Sequence, residues 1–203
     1  LRKYGELGTD LKIMPAVFHN GIKSANYFIK VASSAGVDGV VLFPPYYHRY
    51  IKQPSLERYF SEIIAKTQKV DPNLPIYLAF NDPFTNIRIS SFVLMNLSEK
   101  YERLVGIFDY GAGARSIREI HQSNEDLLVF TGDEPRFSTF LKNGVDGVVS
   151  TIGNAFPDLI QGLYDAIRND SSNHIEVTRA NNDFSPSDSN CDESKDFDGQ
   201  PKS

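Results

Sequence analysis

Gly36-Val37-Asp38-Gly39-Val40-Val41 recurs as Gly144-Val145-Asp146-Gly147-Val148-Val149. Each copy follows an amphipathic stretch and leads into apolar residues. The physical reading is a helix ending on a glycine that tolerates positive φ, then a tight turn, then a buried strand. That is one helix–strand unit, and the residues on either side keep the same rhythm.

Apolar runs of strand length fall at 13–18, 39–43, 76–80, 104–108, 127–130 and 147–150. They are mostly continuous rather than alternating, as in parallel strands covered on both faces. Helix-period segments lie between them, at 26–34, 54–67, 90–100, 115–122, 135–143 and 156–168. The inward face is expected to carry Tyr27, Phe28, Val31 and Ala32 in the first. In the second it is Leu56, Tyr59, Phe60, Ile63 and Ile64, and in the third Phe92, Val93, Leu94 and Leu97. Ser90 or Ser91 supplies the N-cap of the third. Pro135 and Pro157 stand where a first helical turn accepts proline.

Strands alternating with single helices imply parallel crossovers. About six strands are present, against the eight that close a (β/α)8 barrel. A doubly wound sheet alternates in the same way, but no G-x-G-x-x-G follows the first strand, which counts against a dinucleotide-binding version. Gly111-Ala112-Gly113 lacks the third glycine and reads as a strand-to-helix turn. The fold class is therefore α/β, an incomplete (β/α)8 barrel lacking its first strands.

With 203 residues, 40% apolar and 12% aromatic, the chain supplies one substantial core. A mean hydropathy of -0.32 and the lack of a long apolar run exclude a transmembrane helix. The formal charge of -5 belongs wholly to the end of the chain: eight acidic minus three basic side chains from Asp170 onward give the same five negative charges. The neutral body offers no basic stripe for nucleic acid. Residues 1–168 are read as the barrel domain and 169–203 as a disordered acidic tail, too polar to offset its ordering entropy. Ile175-Glu176-Val177 is a candidate for a brief strand within it. Cys191 is the single cysteine, so neither an internal disulfide nor a cysteine metal cluster is available, and a reducing cytoplasm is the expected compartment. The chain opens Leu-Arg-Lys-Tyr, without Met or a signal peptide's apolar stretch, and the start of a longer chain is expected to be missing.

In parallel α/β folds, ligands gather at the carboxyl ends of strands. Here those ends carry His19-Asn20, Pro44 to His48, Phe80 to Thr85, Phe108 to Gly111, Thr131 to Glu134 and Ser150 to Asn154. Hydroxyls, amides and carboxylates suit a small-molecule pocket. Asp82 and Asp109 could pair as carboxylates, but a structural role for Asp109 is favoured. His19 and His48 have no partner at fixed spacing and read as polar loop residues, and His121 as a helix C-terminal histidine. The reading calls for no cofactor and no metal.

Several of these stretches look like one family. AGVDGVVLFPPYY at 35–47, FNDPFT at 80–85, LVGIFDYGAG at 104–113, VFTGDE at 129–134 and GVDGVVSTIGNAFP at 144–157 resemble, in order and spacing, segments of the dihydrodipicolinate synthase / N-acetylneuraminate lyase family of (β/α)8 barrels. The resemblance covers about residues 13–168. It implies a Schiff-base chemistry in which a strand lysine attacks the ketone of pyruvate or another 2-oxo acid, with a tyrosine relaying protons. It places Phe108, Phe80 and Tyr47 at catalytic positions, and Asn81, Thr85, Val149 and Tyr46 at substrate-binding ones. A tyrosine of the Pro-Tyr-Tyr segment reaches a neighbouring subunit's site in that family, which implies a homo-oligomer. The family's Thr-Thr carboxylate-binding turn falls before residue 1.

Carried over residue by residue, the resemblance fails where chemistry needs it. Phe108 stands at the lysine position and Phe80 at the relay tyrosine, so amine and hydroxyl are both absent. Asn86 replaces a glycine after Thr85. Both phenylalanines are expected to fill the barrel mouth, each adding about 2–3 kcal/mol of apolar burial. Lys12, Lys52, Lys66, Lys69 and Lys142 are expected before strands or in loops and helices, not facing inward.

Three functions stay open. One is a non-catalytic relative, a pseudoenzyme, either a remnant that binds a pyruvate-like 2-oxo acid or an accessory subunit. The second is an active lyase or aldolase on a pyruvate-derived 2-oxo acid with a relocated site. The third is a structural or interaction fragment that pairs with a missing N-terminal portion or a partner chain, since six strands leave open edges.

Overall fold

The computed structural model describes residues 11–48, 50–80, 85–111, 119–120 and 124–171. Six strands form one sheet: β1 (Ala16–Val17), β2 (Val40–Leu42), β3 (Ile76–Phe80), β4 (Leu104–Asp109), β5 (Leu128–Thr131) and β6 (Gly147–Val148). Every pairing is parallel, and the order across the sheet is the order along the chain. That order separates the two architectures the periodicity left open. A doubly wound sheet reverses its strand order at a switch point. Here each strand is added on the same side of the last, as in a (β/α)8 barrel, and the described strands make a six-stranded sector of one.

The helices are α1 (Ile22–Ser34), α2 (Gln53–Val70), α3 (Ser91–Lys100), α4 (Phe137–Lys142) and α5 (Pro157–Ser171), the last two each preceded by a 3-10 turn. Ser90 is the N-cap of α3, its Oγ accepting the Val93 N–H at 3.3 Å. α1 begins well before the expected residue 26, because Gly21 caps it through its backbone alone and leaves no side-chain signature. Its inward face is the i, i+4, i+7 row Ala25, Ile29 and Ala32, while Tyr27 and Val31 are exposed, against expectation. Phe92 is exposed too, because Val93, Leu94 and Leu97 take the buried arc of α3. α5 runs through the expected boundary at 168/169. Most of the expected helix 115–122, His121, the Ile175-Glu176-Val177 segment and the rest of the acidic tail lie outside the described residues. No helix among the described residues is long and apolar enough to cross a membrane.

The end strands are shorter than the apolar runs 13–18 and 147–150. Among the described residues each has a partner on one side only, and Pro15 has no N–H to offer a second. Backbone bonds nevertheless extend past β1, from Asp38 N–H to Ile13 O at 2.9 Å and from Val41 N–H to Pro15 O at 3.1 Å.

The repeated hexapeptide performs the same task twice. Gly36 and Gly144 end α1 and α4 at φ +73 and +96. The aspartate that follows ties its unit to the neighbouring strand. Asp38 Oδ2 accepts the Ile13 N–H at 2.9 Å, and Asp146 Oδ2 accepts the Val129 N–H at 2.8 Å. The Ile13 N–H, then Lys12 at 3.2 Å, hold the Asp38 carboxyl below its ordinary range.

The sheet is covered on both faces, which explains the continuous apolar runs. Toward the helices, Val40, Leu42, Ile76, Leu78, Leu104, Ile107 and Val129 pack with Leu56, Phe60, Ile64 and Leu97. Toward the barrel interior, Val41, Ala79 and Phe108 pack with Met14, Phe43, Tyr77, Tyr110, Phe130 and Val149.

At φ +96, a Cβ on residue 144 is strained although the space around it is open. Gly144→Ala is expected to lower the unfolding free energy by about 1–2 kcal/mol, read by urea denaturation.

Candidate active site

Parallel register brings Ala79, Phe108 and Phe130 side by side, since Ala79 pairs with Phe108 and Phe108 with Phe130. All three face the barrel interior. Phe108 is only 8% exposed. Its ring stacks on Tyr77 at 5.4 Å and 15°, and meets Phe130 edge-on at 5.1 Å and 87°. Tyr77 and Phe130 also meet edge to face, at 6.0 Å. These are favourable geometries for aromatic pairs, worth about 0.5–1.5 kcal/mol each beyond the buried area.

Missing side chains make room for the rings. A Cβ on Gly106 would stand 2.8 Å from the Tyr77 ring and 2.7 Å from the Leu128 carbonyl oxygen. A Cβ on Gly147 would stand 2.9 Å from the Phe130 ring. Desolvation pushes the Tyr77 phenol above its ordinary pKa, so it stays neutral. The three rings in mutual contact carry one hydroxyl, that of Tyr77, and Tyr110 packs beside them.

Phe80 is not part of this cluster. It is buried in the helix-side core, and its register partner is Asp109 rather than Phe108. The expectation that Phe80 and Phe108 together fill the mouth is thus corrected. Successive side chains on a strand point to opposite faces, and Ala79 occupies the inward slot beside Phe108. The strand was legible in the sequence, but which parity faced inward depends on register with β4, which no local pattern reports.

Other expected site residues are distributed around the strand ends. Val149 packs against the Phe108 cluster. Tyr46 stacks on Phe18 at 4.5 Å and 4°, and Phe18 meets Phe43 edge-on, so Tyr46 joins the interior only through intervening rings. Tyr47 is exposed, with its N–H donating to Asn20 Oδ1 at 2.8 Å. Thr85 is buried, and its Oγ1 accepts the Ile87 N–H at 3.3 Å, closing a turn. Asn86, which stands where the resembled family has glycine, adopts φ +52, a conformation asparagine tolerates better than most side chains. Asn81 and Asp82 lie outside the described residues. Asp109 is buried, with its carbonyl accepting the Gly132 N–H at 2.7 Å.

Glu134 has a role the sequence did not single out. Its carboxylate accepts from the Ser150 hydroxyl, from Thr151 Oγ1 at 2.6 Å and from the Ile152 N–H at 3.0 Å. Those donors, Ser150 foremost, pull its pKa from 4.5 to about 2. Glu134 thereby joins the carboxyl ends of β5 and β6. Its neighbour Asp133 binds the Arg136 guanidinium, which holds the Asp133 carboxyl below its ordinary range.

Every lysine among the described residues is exposed, and none lies in a strand. Lys12 is paired with Asp38, below β1 and away from the carboxyl ends. Lys52 is the N-cap residue of α2, and Lys66, Lys69 and Lys142 are helical.

The placement of Phe80 is directly testable. Phe80→Tyr would put a hydroxyl into the helix-side core and is expected to lower stability by about 1–3 kcal/mol in chemical denaturation. A side chain at a solvated mouth would instead change stability by less than about 0.5 kcal/mol.

The profile of the dihydrodipicolinate synthetase family matches residues 5–183. A 2-dehydro-3-deoxy-D-gluconate/2-dehydro-3-deoxy-phosphogluconate aldolase of Picrophilus torridus is 31% identical over 176 residues, 86% of this chain and 62% of that protein. The 4-hydroxy-tetrahydrodipicolinate synthase structure from Methylacidiphilum fumariolicum SolV matches with a TM-score of 0.68 at 30% identity, over 78% of this chain and 54% of that one. Dihydrodipicolinate synthase from Aquifex aeolicus matches with a TM-score of 0.73 at 22% identity, over 87% of this chain and 57% of that one, a likeness of fold. The chain spans little more than half the length of these relatives. In sequence and in strand order alike, the chain belongs to the dihydrodipicolinate synthetase family.

Proposed function

We propose that this chain is a divergent member of its family that forms no Schiff base with pyruvate or another 2-oxo acid. The observation carrying this reading is the Phe108 ring, packed between Tyr77 and Phe130 on the inward face of β4. Imine formation needs a nucleophilic amine within bonding distance of a ketone carbon, and lysine supplies it in Schiff-base enzymes. Phenylalanine has no lone pair to offer. The rings of Tyr77, Phe108 and Phe130 also occupy interior volume, so the change is more than the loss of one functional group.

A relocated lysine finds little support. An amine moved to another strand would have to lie on an inward face, and the described lysines are exposed on helices, at a helix cap or ahead of β1. The proton relay is weakened too. Ala79 stands in the inward slot beside Phe108, and Tyr77, the nearest inward phenol, is stacked face to face on Phe108 with its proton firmly held.

The experiment is reductive trapping. The 203-residue chain, incubated with pyruvate and borohydride, is expected to show an unchanged intact mass. An increase matching one reduced pyruvate adduct, mapped to any lysine, overturns the reading.

A further inference from the structure

α5 has two apolar faces, and the described residues cover only one of them. On the covered face, Tyr164 and Ile167 pack with Phe137, Leu141 and Val148. Phe156, Leu159 and Leu163 follow one another at i, i+3 and i+7, so they share the other face. They are 62%, 63% and 42% exposed. Gly162 borders that face, and a Cβ added to it would meet no atom within 4 Å. Glycine inside a helix costs stability relative to alanine, and no described neighbour accounts for it here. An open glycine beside exposed leucines suits the close approach of a second helix.

α1 presents a surface of matching pattern. Tyr27 and Val31, at i and i+4, are 73% and 52% exposed, and Leu159 and Leu163 on α5 have the same spacing. Lys23 and Lys30 are exposed along one flank of the Tyr27–Val31 pair. Asp158 and Asp165 are exposed along one flank of the leucines, with Gly162 between. Each charged pair is seven residues apart, two helical turns or about 10 Å. None of the four forms an ion pair with another described residue.

We infer that the outer face of α1 in one copy of this chain docks on the open face of α5 in a second copy. Antiparallel packing brings Lys30 to Asp158 and Lys23 to Asp165, and sets the Tyr27 ring against the turn that holds Gly162. Parallel packing would leave lysines and aspartates on opposite flanks. Tyr27 and the leucines supply the apolar contact. The charges choose partner and direction, since exposed ion pairs add little affinity. The two surfaces differ, so the contact is head-to-tail, and each copy keeps one surface of each kind to offer. It uses no residue of the barrel interior and none of the Tyr46-Tyr47 segment, so it stands whether or not the interior is inert.

Sedimentation equilibrium of the full chain at low salt tests it. The average mass is expected to rise with concentration, with a dissociation constant on the order of 100 µM or tighter, as suits one helix pair. Salt at about 0.5 M should weaken the association. Lys23→Glu combined with Lys30→Glu, and Asp158→Lys combined with Asp165→Lys, should each weaken it by about tenfold or more. An equimolar mixture of these two variants should recover the parent behaviour. Tyr27→Ala should weaken association severalfold. All five side chains are exposed, and an unchanged thermal melt confirms that each variant is folded. A monomer at about 1 mM chain, association unaffected by either charge reversal, or no recovery on mixing would each overturn the inference.

Discussion

The repeated aspartates, Asp38 and Asp146, hold the sheet in the register on which everything else depends. Each follows a helix-ending glycine and accepts a backbone N–H from the neighbouring unit, that of Ile13 just ahead of β1 in one case and that of Val129 in β5 in the other. A one-residue slip in a strand exchanges its two faces. By tying β2 to β1 and β6 to β5, the two carboxylates help set which side chains enter the barrel. The second glycine of each hexapeptide then serves the interior. Gly39 lies against Tyr77 and Gly147 against Phe130, where a Cβ would stand 3.4 Å and 2.9 Å from the respective rings. The motif that sets the strand phase thus also leaves space for the aromatic infill.

From that register follows the character of the site. Phe108 is one of three rings in mutual contact, with Gly106 and Gly147 leaving the volume they need. The cluster resembles a packed core more than a reaction chamber. The strand ends above it remain ordered by polar contacts, chiefly Glu134 bridging from β5 to the segment after β6. Polar contacts thus order the strand ends above a hydrophobic interior.

Much of this was readable from residues alone. The β3 run 76–80 is bounded as expected, because its apolar residues are covered on both faces and Pro75 precedes it. Ser90 announced the start of α3 through a side-chain cap, whereas Gly21 gave no comparable signal for α1. Phe108 was found because its neighbours, Gly106, Ile107 and Asp109, keep a recognisable pattern around it. Phe80 was located but not oriented, since adjacent strand residues differ only in which face they meet. Glu134 was invisible as a clamp because its partners, Ser150 to Ile152, are distant in sequence and meet it only when β5 and β6 pair.

The central claim is that Phe108 is a structural residue of an aromatic interior, not a silent gap in an otherwise intact catalytic site. Equilibrium denaturation of Phe108→Lys measures this most directly. Removing the ring forfeits its packing and contacts with Tyr77 and Phe130, and the new amine must be desolvated or held neutral among apolar neighbours. The account predicts a loss of about 3 kcal/mol or more relative to the parent chain. A variant within about 1 kcal/mol of the parent would contradict it, because the interior would then accept a lysine as readily as a phenylalanine.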